Sequence, residues 1–217
     1  MKRFGTNMKN NKFKIYGLVI FIATLVFIGV AVGVQTGYLD AFDDAVRYRV
    51  YSMRSDKLTV FWKFITHSGD RYVVILLGVI LLLKKSLREK YGVKFAIAAL
   101  SSTALYQIMK YIFQRPRPDL ALRLIEQGGY SFPSGHSMNC LVSYGILIYL
   151  LLKYCENRRL AKILSVGLGL LTILIGFSRV YVGVHYPTDI IGGWSLGIAV
   201  LVAMIYVFEK FDSRSEG

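Results

Sequence analysis

Two histidines, three arginines, a lysine, two serines and an aspartate fall within three short runs of this chain, at residues 110–118 (KYIFQRPRP), 133–136 (PSGH) and 178–189 (SRVYVGVHYPTD). Fixed cations and N–H donors can hold the oxygens of a phosphoryl group while an oriented imidazole attacks its phosphorus. This set is what phosphoryl transfer to a side-chain nucleophile needs.

In the last run His185 and Asp189 stand four positions apart. If a helix has begun by Pro187, the carboxylate reaches the imidazole Nδ1–H and leaves Nε2 free to attack. A turn at Gly183 would bring Arg179 to the same pocket. In the middle run Pro133 suits the first turn of a helix, and Ser134, Gly135 and His136 then offer side-chain donors and unpaired backbone N–H groups to an anion. A Pro-Ser-Gly tripeptide is also an ordinary helix entry, so this run alone is a weak signal. In the first run Lys110 closes an apolar segment, and Arg115 and Arg117 follow in a loop stiffened by Pro116 and Pro118. A guanidinium fork and an ammonium point charge bind phosphate oxygens in complementary ways, although a lone lysine at a helix end is more commonly a snorkelling cation.

The elements that carry these runs belong in a bilayer. Of the 217 residues 54% are hydrophobic, and the mean hydropathy is +0.47. Residues 15–39 carry no charge and exceed the roughly 20 residues that cross a hydrocarbon core. They are also longer than the roughly 7–15 apolar residues of a signal peptide. Further spans are predicted at 69–83, 95–109, 138–152, 163–177 and 190–208. The first of these is the weakest: its charge-free core covers only 72–83, and Lys84 and Lys85 would have to snorkel. The expected fold is all-α, an integral membrane bundle of six transmembrane helices forming one domain over residues 1–217. Between the first and second spans, Phe42, Val46, Val50 and Met53, then Leu58, Phe61, Trp62 and Ile65, recur at helical spacing. Residues 40–68 are therefore expected as short interfacial helices beside the active face. His67, with no carboxylate at helical spacing, reads as an interfacial polar residue. Gly193 with Gly197, and Gly167, Gly169 and Gly176, read as places where helices pack closely.

Six spans put both termini on one side. The termini and the loops at 84–94 and 153–162 hold 16 of the 27 Lys and Arg, so the positive-inside rule makes that side cytoplasmic and the three runs extracytoplasmic. A net charge of +14 would suit nucleic acid, but the basic residues are dispersed over helix ends with no stripe of interleaved stacking aromatics. No nucleic-acid partner is expected, and anionic lipid headgroups account for the excess. Cys140 and Cys155 fall on one predicted helix about 22 Å apart, too far for a disulfide.

Together the three runs resemble the signature of the type-2 phosphatidic acid phosphatase superfamily: Lys, six residues, Arg-Pro; Pro-Ser-Gly-His; and Ser-Arg, five residues, His, three residues, Asp. Lys110 to Arg117-Pro118, Pro133 to His136, and Ser178-Arg179 to His185 and Asp189 match every defining position. The resemblance implies that His185 is the nucleophile and forms a phosphohistidine, that Asp189 orients it, and that His136 protonates the leaving oxygen and then activates water. It implies that Lys110, Arg117, Ser134, Gly135 and Arg179 hold the phosphoryl oxygens; Arg115 is not a defining position. It further implies a lipid phosphate substrate, membrane lipids as surroundings, no cofactor and no obligate protein partner. The short chain and minimal loops look like the compact bacterial members that dephosphorylate phosphatidylglycerophosphate, with undecaprenyl diphosphate and other lipid phosphates as alternatives. Acid and base must differ in protonation, so an activity optimum bounded by two apparent pKa values is expected.

Three other readings compete. His136, His185 and Asp189 could ligate zinc or iron, but at least three permanent cations in the same pocket suit a phosphate and repel a metal. An anion or lipid transporter would use the basic vestibule, yet transport needs neither an oriented imidazole nor a second histidine. The soluble haloperoxidases of the same superfamily, whose pocket holds vanadate, lack this hydrophobic character.

Overall fold

The computed structural model describes the backbone of residues 2–215 and the side chains of residues 11–213. Lys2, Arg3, Lys9 and Arg214, which enter the charge count, lie outside the described side chains. Among the described residues the elements are helical: α1 (Lys2–Gln35), α2 (Asp40–Tyr51), α3 (Asp56–His67), α4 (Arg71–Leu83), the single turn α5 (Lys85–Leu87), a π-helical segment (Arg88–Gly92), α6 (Val93–Phe113), a 3-10 turn (Leu120–Leu122), α7 (Gly135–Tyr154), α8 (Arg158–Tyr181) and α9 (Pro187–Ser215).

Each predicted span falls largely within one helix, but six are not reached by length and apolarity. Among the described residues α1, α7, α8 and α9 are long and apolar enough to cross a membrane; α3 and α4, bent by 43° at their break, make a fifth if counted as one span. Two causes separate this from the expected count. The helix α4 has 13 residues, about 20 Å against a core of about 30 Å. In α6 the polar side chains of Lys94, Ser101, Ser102, Thr103, Gln107 and Lys110 dilute the hydropathy. The 40–68 segment does form two helices, α2 and α3.

Helix α7 is the central element, packed against α6, α8 and α9, while α1 lies along α9. Away from the N-terminus of α7, Val74, Leu81, Phe95, Ala98, Val142, Ile146, Leu150 and Phe208 form one buried cluster. Large apolar side chains such as Phe21, Leu100, Ile163 and Leu170 stay exposed on the outer faces of α1, α6 and α8. Lipid tails are as apolar as these side chains, so close packing rather than exclusion from water must hold the helices together. Gly193 shows how: a Cβ there would lie 2.8 Å from the Ser134 carbonyl oxygen and 3.2 Å from Ser137 Cβ. The starts of α7 and α9 are thereby pressed together, and the Ser134 N–H bonds the Asp189 carbonyl at 3.0 Å. Gly176 likewise receives the Trp194 ring, whereas Gly167 and Gly169 have nothing within 4 Å and do not serve as packing sites. Cys140 and Cys155 are both free.

Candidate active site

The last run is shaped by how α8 ends. Val184 N–H bonds the Arg179 carbonyl at 3.2 Å and Gly183 N–H that of Val180 at 3.0 Å, with Gly183 at φ 79°. These two bonds make a Schellman cap, whose left-handed residue is best supplied by glycine. Arg54 secures the same helix end, donating to the Tyr181 carbonyl at 2.7 and 3.0 Å and to the Leu122 carbonyl at 2.9 Å. The chain then delivers His185 to the start of α9, where Pro187 opens the helix and Asp189 sits in its first turn.

His185 Nδ1 lies 3.0 Å from Asp189 Oδ2, and Arg117 Nη1 lies 3.1 Å from His185 Nε2. A guanidinium only donates, so Nε2 carries the lone pair and Nδ1 carries the proton given to Asp189. Burial first, then the cations of Arg117, Lys110 and Arg179, push the His185 pKa well below its ordinary 6.5. The imidazole is therefore neutral at physiological pH, as a nucleophile must be.

Arg115 holds the orienting carboxylate from behind. It donates to Asp189 Oδ1 at 2.7 Å, to Thr188 Oγ1 at 2.8 Å and to Asp43 Oδ2 at 2.7 Å, with the Tyr186 ring 4.0 Å from its guanidinium carbon. Asp43 also accepts from the Thr188 N–H at 2.9 Å and the Thr188 hydroxyl at 2.6 Å. Burial acts to lower the Arg115 pKa, but Asp189 and then Asp43 outweigh it and raise it.

A cavity of about 470 Å³ is lined by His185, His136, Lys110, Arg117 and Gly135, with Asp70, Gln127 and Tyr106 among the neighbours that complete it. Its cations are held by backbone carbonyls. Lys110 Nζ donates to those of Tyr130 at 2.6 Å and Ser131 at 3.0 Å, and Arg117 to those of Gly128, Gly129 and Val184 at 3.1, 2.9 and 2.7 Å. Burial lowers the Arg117 pKa to about 10, which leaves it charged. The first-turn amides of α7, including those of Gly135 and His136, have no intrahelical carbonyl to bond and suit an anion.

Three expected site residues stand behind this wall instead of lining it. Asp189 backs His185. Arg179 is 1% exposed and donates to Thr66 Oγ1 at 2.7 Å and Gln127 Oε1 at 2.8 Å; its buried Nε has no partner among the described residues. Ser134 is buried, and its hydroxyl accepts from the Ser137 N–H at 3.3 Å and the Ser137 hydroxyl at 2.9 Å. Ser134 is thus the N-cap of α7. Pro133 accordingly precedes the cap and is not in the first turn, because only a residue with a side-chain oxygen can satisfy the first free amides.

Sequence reasoning missed Asp70, Asp43, Thr66, Gln127 and Arg54. His136 Nε2 lies 2.9 Å from Asp70 Oδ1, and His67 Nδ1 lies 2.8 Å from Asp70 Oδ2. His67 therefore has the carboxylate partner it was expected to lack, three positions on, and that spacing was the one signal pointing to Asp70. Burial tends to raise the Asp70 pKa, but the hydrogen bonds of His136 and then His67 prevail and hold it at about 2. Among the described residues no three His, Cys, Asp or Glu are grouped to hold a metal.

Comparison with known proteins agrees with this architecture. Residues 91–213 match the PAP2 superfamily. A phosphatidylglycerophosphatase B of Bacillus subtilis is 30% identical over 196 residues, 88% of this chain and 93% of that protein. An undecaprenyl-diphosphatase of Sulfolobus acidocaldarius is 34% identical over 139 residues, 62% of this chain and 63% of that protein. The crystal structure of a transmembrane PAP2 type phosphatidylglycerolphosphate phosphatase from Bacillus subtilis superimposes with a TM-score of 0.79 at 28% identity, covering 88% of this chain and 96% of that one. The chain belongs to the PAP2 superfamily. Its class is that of the multi-pass membrane lipid phosphatases.

Proposed function

We propose that the chain converts phosphatidylglycerophosphate to phosphatidylglycerol at the outer leaflet, without a metal, through a phosphohistidine on His185. The reaction class rests on one observation: a buried neutral imidazole, oriented by Asp189, whose Nε2 lone pair is met by Arg117 beside a cavity that Lys110 and His136 also line. The relative that is similar over 88% of the chain favours the substrate.

In this mechanism Arg117 passes from Nε2 to a phosphoryl oxygen as the substrate enters, freeing the lone pair. Lys110, the start of α7 at Gly135, kept in place by the Ser134 cap, and Arg179 through its unpartnered Nε hold the equatorial oxygens, where such donors are worth several kcal/mol in a shielded site. Nε2 bonds the phosphorus, the bond to the glycerol oxygen breaks, and that oxygen takes a proton from His136. Water then attacks the phosphorus and gives its proton to His136 as the P–N bond breaks and phosphate leaves.

The single domain is taken to cross the membrane six times, with α4 and α6 as the second and third spans, cytoplasmic termini and the site outside. Lys12, Lys94 and Lys153, near one another through Glu209 and Asp212 at the opposite end of the bundle, suit the anionic inner leaflet. Lipid phosphate and membrane lipids suffice as partners. Undecaprenyl diphosphate is the second reading, favoured by the 34% identical relative. Purified protein in detergent, offered both lipids and phosphatidate side by side in excess EDTA, tests the substrate and the metal independence. Phosphatidylglycerophosphate should turn over fastest; faster release from undecaprenyl diphosphate would reassign the substrate, and activity restored only by a divalent metal would overturn metal independence.

A further inference from the structure

The turn between α3 and α4 is fastened to α7 at three successive residues. Tyr144 Oη donates to the Ser68 carbonyl at 2.8 Å, Cys140 Sγ to the Gly69 carbonyl at 3.6 Å, and His136 Nε2 to Asp70 Oδ1 at 2.9 Å. Residues 136, 140 and 144 share one face of a helix, a turn apart, so the segment 68–70 runs back along that face in register with it. Gly69 permits the approach, because a Cβ there would lie 2.7 Å from Ile175 Cγ2 and 3.1 Å from Cys140 Sγ. The second oxygen of Asp70 is taken by His67. With both oxygens engaged and its backbone pinned, the carboxylate has one orientation to offer His136. Asp70 also lies before residues 91–213, the part matched to the family.

We infer that Asp70 is the positioning residue of the acid–base histidine, doing for His136 what Asp189 does for His185. A carboxylate only accepts, so Nε2 of His136 keeps its proton through the cycle and Nδ1 is the nitrogen that gives and takes one. When Nδ1 is protonated, Asp70 stabilises the imidazolium, and His67 holds Asp70 in place from the outer side. This assignment rests on the acid–base role proposed above for His136.

The test is leaving-group dependence. Asp70→Asn preserves size and removes the charge. It should lower kcat/KM, which reports formation of the phosphohistidine and not the later hydrolysis common to every substrate, about 100-fold for a lipid or alkyl phosphate, the scale of general acid catalysis. With p-nitrophenyl phosphate, whose leaving group departs without a proton, the loss should stay below about threefold. Equal losses on both substrates, or no loss on the alkyl phosphate, would overturn the role. If Asp70→Asn does not fold, His67→Ala, which removes the second donor to Asp70, carries the same test: a smaller loss, again confined to the alkyl phosphate, supports the inference, and a uniform or absent loss overturns it. Labelling the wild type with a radioactive phosphoryl donor separates the two proposals. An unlabelled His185 overturns the nucleophile, whereas a labelled His185 with uniform losses in Asp70→Asn overturns only the positioning role.

Discussion

Replacing Arg115 with methionine keeps an extended side chain and removes the fork that ties α2 and α9 to the loop between α6 and α7. The guanidinium lies between Asp43 and Asp189, whose side chains are 1% and 0% exposed. In the variant Asp43 would keep its two bonds from Thr188, and Asp189 those from Tyr186 and His185, but neither would face a cation at bonding distance. Breaking a buried pair by removing one partner costs about 3–5 kcal/mol. A separate bound comes from the variant's escape route: protonating one carboxyl at pH 7, about three units above an ordinary carboxylate pKa, costs about 4 kcal/mol. The two figures agree on roughly 4 kcal/mol, a fall in Tm of roughly 8–16 °C for a chain of this size. Adding Asp43→Asn removes one of the stranded charges, so the pair of substitutions should be less damaging than the sum, with a coupling of about 1–3 kcal/mol. Thermal unfolding in detergent at pH 7, followed by circular dichroism, measures both quantities. A loss below about 1 kcal/mol, or strict additivity, would refute the view that Arg115 neutralises these two carboxylates.

Three further outcomes are expected. Asp189→Asn should lower kcat about 10³–10⁴-fold by releasing the His185 tautomer, which steady-state kinetics would contradict with a loss under about tenfold. Stability should decline on acidification, because His185 and Asp70 both bind protons less readily in the native state than unfolded. That contribution is present at neutral pH; it is lost first below 6.5 as the unfolded histidine charges, then between 3.8 and about 2 as the unfolded and then the native Asp70 protonates. Denaturation midpoints that hold or rise from neutral pH down to pH 4 would contradict it. Gly193→Ala should cost about 1–3 kcal/mol by overpacking and reduce kcat by parting the starts of α7 and α9, while Gly169→Ala, with nothing within 4 Å, should do neither; equal effects at the two positions would count against the packing argument.

What the sequence revealed and what it hid divide by the range of the contacts involved. The His185–Asp189 pair, the Gly183 turn and the helix opening at Pro187 depend on neighbours within a few positions, and their spacing displays them. The helix start after Pro133 was legible for the same reason, although Ser134 is its N-cap and Pro133 lies before the cap instead of in the first turn. Asp70 meets His136 across 66 positions, Asp43 meets Arg115 across 72, and Arg179 meets Thr66 across 113. No local pattern marks such contacts, so α2, α3 and the turn after α3 read only as interfacial helices beside the active face, whereas they bring two carboxylates, Asp43 and Asp70, against Arg115 and His136. Helix α4 was foreseen as a doubtful span because its apolar run is short, and in α6 the hydrophobic residues on either side masked the polar stretch that leaves it short of the apolarity of α1, α7, α8 and α9.

Quenching the purified protein during turnover with a lipid phosphate labelled on its terminal phosphoryl group, then mapping the labelled peptide, reads whether that group visits the protein. An acid-labile phosphohistidine at His185 in the wild type, absent from His185→Ala, is the predicted result. Turnover in the wild type with no label on His185 at any time would mean that water attacks the phosphorus without a covalent intermediate.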